Sequence, residues 1–330
     1  MLLPELIYYC GYLLKKRYDI RRQRSLPHRV ISIGNLTIGG TGKTPATIAI
    51  AEEAKRRGFY PVILTRGYRG TIKGPHIVSK GDGPLMLPDE AGDEAFLMSQ
   101  RLKGIPIIKS PDRYRGGRFA IDNLNDHERI IFILDDGFQH LRLFRDVDIL
   151  LVDGMNPFGN RRLLPLGRLR EPLREIKRAD LIVITRSLNL PGSLIQEIRR
   201  YNDKAPIFSS YHKPSCFRGM NGKVIPEKDL SGKCAIAFCG IGNPHSFKRS
   251  IIDLGIDLKD FIIFGDHHRY SHHDIERIER IAERSKADWI ITTEKDIIKI
   301  KNLGVYSNIL YLTIEFEIEE NFFEEVFNRV

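Results

Sequence analysis

Residues 32–45 read SIGNLTIGGTGKTP, and they combine the side chains and spacing needed to hold a polyphosphate. Gly39, Gly40 and Gly42 let backbone N–H groups close around phosphate oxygens. Lys43 can reach the β- and γ-phosphates, and Thr44 can offer a hydroxyl to Mg²⁺. The nucleotide-binding segment is therefore Thr37, Ile38, Gly39, Gly40, Thr41, Gly42, Lys43 and Thr44. Pro45 is compatible with the first turn of a helix, where N–H groups lack helical partners. The usual pattern begins with Gly five positions before the second Gly, and Thr37 stands there instead.

A second element should supply acid for the metal. IIFILDDGFQH places Asp135 and Asp136 directly after an apolar run, with Gln139 and His140 following. A carboxylate at that position can hold Mg²⁺ directly or through water. Paired acids at a strand end also serve as turn formers; the neighbouring phosphate loop favours the metal role.

These residues need strands that end in the site. Short β-rich apolar runs at 30–33, 62–64, 105–108, 130–134, 147–152 and 181–184 alternate with helical patterns at 46–57, 90–102, 113–124 and 194–201. Such alternation predicts a parallel sheet covered by helices, with ligands at the carboxyl ends of its strands. Pro and Gly interrupt residues 211–223, and a second α/β set follows: strands at 234–239, 261–264 and 289–292, with helices from 245 and over 275–285. The expected fold class is an α/β P-loop nucleotidase-like parallel sheet flanked by helices. A smaller α/β domain and an N-terminal amphipathic helix complete it, with divisions at 1–29, 30–212 and 213–330.

At 330 residues, one small module is excluded. A 42% hydrophobic and 28% charged composition excludes a disordered chain. The 52 Lys+Arg against 42 Asp+Glu give a net charge of +10, concentrated in two places. Residues 15–29 hold seven basic residues against Asp19, and residues 161–178 hold seven against Glu171 and Glu175. Two patches suit two anionic contacts better than a diffusely basic surface. Cys10, Cys216, Cys234 and Cys239 form no CxxC pair, which fits a reducing, cytoplasmic setting. The amino-terminal MLLPELIYYCGYLLKK is too short and interrupted to span a bilayer, and it lacks signal-peptide order. It suits the bilayer interface or, equally, packing on its own domain.

Several further motifs stand in order: LTRGYRG (64–70), DEAGDEAFL (89–97), SPDRYRGG (110–117), LLPLGRLREPL (163–173), FGDHHRYS (264–271) and TTEKD (292–296). With the phosphate loop and LDDGFQH, they make essentially the whole chain resemble the tetraacyldisaccharide 4'-kinases. A serine or threonine at position 37 is what that family leads one to expect. The resemblance implies ATP and Mg²⁺ as cofactors and transfer of the γ-phosphoryl to the 4'-hydroxyl of a tetraacylated glucosamine disaccharide 1-phosphate, a lipid A precursor. It implies a peripheral enzyme on the cytoplasmic face of the inner membrane, held to an anionic surface by its first helix, with no nucleic-acid partner. Carried over by motif, Asp112 and His267 are the catalytic pair. Thr44, Asp135, Asp136 and Gln139 form the metal side, and His140, Arg170 and Glu171 face the substrate.

Other classes compete; a nucleic-acid-dependent ATPase would explain the charge, but no RNA- or DNA-binding motif is recognisable. The cluster His267, His268, His272, His273, Asp266 and Asp274 permits a metal phosphoesterase, but that reading leaves the phosphate loop idle. A nucleotide-gated partitioning ATPase or metallochaperone usually has a Lys early in the loop, and residues 37–40 have none.

Overall fold

The computed structural model describes the chain except residues 1, 69, 125–127, 189 and 302 and the side chain of Glu227. It forms two compact units, Met1–His212 with Phe316–Val330, and Lys213–Glu315.

The first unit begins with helix α1 (Leu3–Arg21) and strand β1 (Arg29–Asn35), followed by α2 (Lys43–Arg56), β2 (Tyr60–Thr65) and β3 (His76–Ser79). Next come α3 (Pro88–Ala91), α4 (Asp93–Arg101), β4 (Ile107–Lys109), α5 (Arg113–Asn123), β5 (Ile130–Asp135) and β6 (Val147–Asp153). Strand β7 (Leu181–Thr185), helix α6 (Gly192–Arg199) and strand β8 (Ile207–Gly219) complete the series. The strand order is β8-β7-β6-β1-β5-β2-β4-β3. All pairings along it are parallel except the antiparallel edge pair β3 and β4.

Strands β5, β6 and β7 are buried along their whole length, so they read as continuous apolar runs rather than alternating ones. Alternation still sorts residues by face. Ile31, Ile33, Ile131 and Ile133 pack with Ile50, Ala51 and Ala54 of α2, while Val30, Phe132 and Leu134 pack on the other face with Ala120 of α5. The expected single helix over 90–102 is two: Gly92, at φ +90°, separates α3 from α4. A Cβ there would stand 2.5 Å from the Tyr68 carbonyl oxygen, so the chain turns where only glycine fits.

The second unit contains β9 (Val224–Ile225), β10 (Cys234–Cys239), α7 (Pro244–Asp253), β11 (Asp257–Ile263), α8 (His272–Arg284), β12 (Trp289–Thr293), α9 (Glu294–Ile300) and β13 (Ile309–Ile318). Its parallel strands run in the order β11-β10-β12-β13. Its core includes Ala235, Ala237, Ile251, Ile291 and Leu310.

The chain passes between units within β8 and again within β13. Residues 211–223, expected to be irregular, instead continue strand β8 and turn into β9. Partners remote in sequence explain the difference: the Cys216 amide donates to Thr313 Oγ1 at 3.2 Å and Ser215 Oγ donates to Glu315 at 2.5 Å. Pro214 lacks a backbone donor yet is accommodated in the strand. After β13 the chain ends in α10 (Glu320–Phe327), whose Phe322, Val326 and Phe327 join the core of the first unit. The expected second domain, 213–330, therefore runs past its unit, because this apolar helix face is buried against the first sheet. The expected separate segment 1–29 likewise groups with the first unit, where Lys16 pairs with buried Glu175 at 2.5 Å.

Candidate active site

β1 lies between β5 and β6, and its register sets Asp135 beside Ile33. The phosphate loop leaves the carboxyl end of β1 and enters α2 through Gly42, at φ +86°. A Cβ on Gly42 would stand 2.5 Å from His212 Nε2, and one on Gly39 would overlap the Arg168 guanidinium. A second segment braces the loop: the Ile38 amide donates to the Arg168 carbonyl at 2.8 Å, and the Arg170 amide to the Leu36 carbonyl at 2.7 Å.

Asn35 is the hub of this end of the sheet. Its Oδ1 accepts from Lys43 Nζ at 3.3 Å and from Arg170 Nη2, and its Nδ2 donates to the Thr37 carbonyl at 2.8 Å. Gln139 Nε2 donates to the Asn35 carbonyl at 2.9 Å. Lys43 Nζ lies 3.7 Å from Asp136 Oδ1, and Arg170 grips both Asp136 oxygens at 2.8 and 2.9 Å. Asp136 sits at φ +52°, a left-handed conformation uncommon for a non-glycine residue and one concentrated at functional sites.

The two acids titrate in opposite directions. Burial alone would raise Asp136, but Lys43 and Arg170 outweigh it and hold the carboxyl well below the usual range. Asp135 is pushed up to about 6, first by burial and then by Glu94 and Asp136. Thr47 and Thr65 hydroxyls donate to its two oxygens at 3.4 and 3.1 Å. One acid thus stays ionised while its neighbour holds a proton more readily, a separation set wholly by surroundings.

Asp112 caps α5, accepting from the Arg115 amide at 3.1 Å, and its other oxygen lies 3.8 Å from Arg142 Nη1. The next amide, of Arg113, donates to His140 Nε2 at 3.3 Å. Burial lowers His140 to about 3, so its ring is neutral and can accept that bond. The Arg113 side chain is buried, donating to the Ser110 and Asp135 carbonyls at 3.2 Å each. It ties the Asp112 loop to the end of β5.

The first unit thus gathers Lys43, Asp135, Asp136, Gln139 and Arg170 around the loop, with Asp112 and His140 joined through Arg113. Thr37, Thr41 and Thr44 are buried, and Ile38 is exposed. Glu171 goes elsewhere: nearly fully buried, it accepts from Arg178 Nη2 at 2.5 Å, and burial raises its carboxyl. His267 is carried by the second unit, at φ +59°, with its amide donating to the Gly240 carbonyl at 3.0 Å. Sequence reasoning missed Asn35, Arg113, Arg142, Arg168 and His212. Asn35, Arg113 and Arg168 lie within motifs already singled out, but single letters did not reveal their partners.

The model for the tetraacyldisaccharide-1-P 4'-kinase family matches residues 5–330. The tetraacyldisaccharide 4'-kinase of Syntrophus aciditrophicus (strain SB) is 40% identical over 310 residues, covering 89% of this chain and 82% of that protein. That of Halothermothrix orenii is 41% identical over 287 residues, covering 82% and 74%. A crystal structure of LpxK from Aquifex aeolicus in complex with ATP matches with a TM-score of 0.78 at 32% identity, covering 98% of this chain and 96% of that one. A loop braced for phosphates and a match along nearly its whole length lead to one conclusion: the chain belongs to the tetraacyldisaccharide 4'-kinase family.

Proposed function

We propose that this chain transfers the γ-phosphoryl group of ATP to the 4'-hydroxyl of a tetraacylated glucosamine disaccharide 1-phosphate. The observation that carries the reading is the convergence of Lys43 and Arg170 on Asp136 beside the phosphate loop, in a chain of this family. Phosphoryl transfer needs positioned positive charge more than covalent chemistry. In this reading loop amides and Lys43 bind the phosphate chain, and Arg170 neutralises charge that grows on the transferring group. Asp112 takes the proton from the sugar hydroxyl as the P–O bond forms, and His267 assists it.

The donor set fits Mg²⁺. Gln139 Oε1 is buried without a hydrogen-bond partner, Asp136 is held ionised, and Thr44 stands on the first turn of α2. Among the described residues no group of three or more His, Cys, Asp or Glu is placed to hold a metal. Mg²⁺ keeps several waters and binds through one or two carboxylates plus substrate phosphates. Thr44, Asp135, Asp136 and Gln139 would hold it; when bound, it neutralises charge on the β- and γ-oxygens.

We also propose that α1 docks the enzyme on an anionic membrane surface. No helix among the described residues is long and apolar enough to cross a bilayer. Helix α1 exposes Leu3, Leu6, Ile7 and Leu14 while Glu5, Tyr12 and Asp19 turn inward, which supports an interfacial role. We assign this docking to the cytoplasmic face of the inner membrane, where the acyl chains of the proposed substrate would stay in lipid.

The test is ³²P transfer from ATP to the disaccharide 1-phosphate in mixed micelles, with duplex DNA or no acceptor as controls. Lys43→Ala and Thr44→Ala should each lower kcat/KM by at least ~100-fold, the scale of one lost electrostatic contact. Near-normal transfer in both folded variants would remove the assignment.

A further inference from the structure

TTEKD, residues 292–296, has no part in the chemistry above, yet it contains a fully buried acid, Asp296. Thr293 caps α9, and its hydroxyl donates to Asp296 Oδ2 at 2.7 Å. The same oxygen accepts from the Gly240 amide at 2.9 Å, while Oδ1 accepts from Lys299 Nζ at 3.3 Å. Gly240 follows β10, and its own carbonyl accepts from the His267 amide at 3.0 Å. The acid is thus linked to His267 through one residue, by two hydrogen bonds on its opposite sides.

Packing gives the link little slack. A Cβ on Gly240 would lie 3.0 Å from the Gly265 carbonyl oxygen, 3.1 Å from His268 Cβ and 3.2 Å from Tyr270 Oη. The His268 ring stacks on Phe264 at 4.6 Å between centroids and reaches Asp274 at 3.3 Å, fixing the loop beyond. His267 itself adopts φ +59°, which a non-glycine residue keeps only when its surroundings hold it there. Thr293 and Lys299 belong to the cap and body of α9, whereas the bond to Gly240 reaches the strand end that also holds the histidine loop.

We infer that Asp296 is a positioning residue: through Gly240 it sets the backbone of the FGDHHRYS loop and so the placement of His267 for phosphoryl transfer. The inference rests on the reading of His267 as the group that assists Asp112. A misplacement of about 1 Å can cost about 100-fold in rate, and that is the effect expected in kcat.

The experiment is a double-mutant cycle in the full chain, with kcat read from ³²P transfer in mixed micelles and ATP affinity measured in parallel. Asp296→Ala is made together with Lys299→Met, so that no lysine is left facing a vacated buried acid. Against Lys299→Met alone, kcat should fall about 100-fold with ATP affinity unchanged, and Asp296→Asn, which keeps an oxygen acceptor for Gly240, should recover most of it. On a His267→Ala background the Asp296 change should cost less than about 3-fold, because its route to the reaction is already gone. Gly240→Ala pushes on the same loop from the other side and gives the same cycle should the first variant not fold. Equal losses with and without His267 would make Asp296 a stability residue and overturn the inference, as would unchanged kcat. Wild-type kcat in His267→Ala alone would instead bring down the assignment of His267, and with it the role of Asp296.

Discussion

Replacing Gly42 with alanine tests the way the phosphate loop is held. Two separate costs arise. At φ +86° and ψ 19° an alanine occupies the left-handed region, at roughly 1–2 kcal/mol. The new Cβ would also lie 2.5 Å from His212 Nε2 and 3.0 Å from its Cε1, an overlap worth about 1–3 kcal/mol in a well-packed setting. The imidazole is pushed down to about 4 by burial and then by Arg186, so at neutral pH the conflict is steric rather than electrostatic. If the loop yields, ATP affinity falls by a combined ~2–5 kcal/mol, or about 30-fold to several thousand-fold. His212→Ala removes the ring and with it the second cost alone. Gly42→Ala measured in a His212→Ala background should therefore lose only about 5- to 30-fold. Isothermal titration of ATP into the four proteins of this cycle decides it. The same Gly42→Ala loss with and without His212 would refute the steric account.

Three other outcomes test the proposals made above. The Asp135 carboxyl is raised to about 6 from an ordinary 3.8, so the folded chain loses stability as pH climbs through 6. Asp135→Asn, melted without nucleotide, should gain most over the parent at pH 7.5 and nothing below about pH 4; a gain that grows on acidification contradicts the burial argument. Asp112→Ala and His267→Ala should each lower kcat by ~10²–10⁴ with ATP affinity unchanged, and the double variant should lose little more than the worse single one; multiplicative losses would reject a coupled pair. Vesicle flotation should require anionic lipid and weaken with salt, at roughly 1 kcal/mol per basic residue near the surface, and should fall when residues before Asp19 are removed; equal binding to neutral vesicles would reject the electrostatic part.

What the sequence disclosed was local. The phosphate loop could be read because strand, glycines, Lys43 and helix follow one another, and Asp135 and Asp136 because they end an apolar run. The bonds that give these residues their character join distant segments. Nothing near Asp136 announces that Arg170 will grip it, and nothing near Asp112 announces Arg142 or the tie through Arg113 to His140. The same limit hid strand β8: Pro214 and Gly219 read as a break, because the partners that make it a strand lie about a hundred residues on, in β13. Glu171 shows the converse. Its neighbour Arg170 turns to Asp136, and one residue further along the backbone points into a different set of partners, Arg178 among them.

The return of the chain to its first unit has a consequence in time. Ribosomal synthesis proceeds from the amino terminus, and domains generally fold as units as they emerge. Here the first unit is incomplete when residue 212 appears, because Phe322, Val326 and Phe327 of its core are made about a hundred residues later. The second unit, Lys213–Glu315, is contiguous and is complete earlier. Until α10 arrives, the apolar surface around Ile50 and Phe208 stays uncovered on the nascent chain. A unit begun before the second is closed only after it, and a ribosome that stalls between residues 315 and 322 leaves the second unit whole and the first one open.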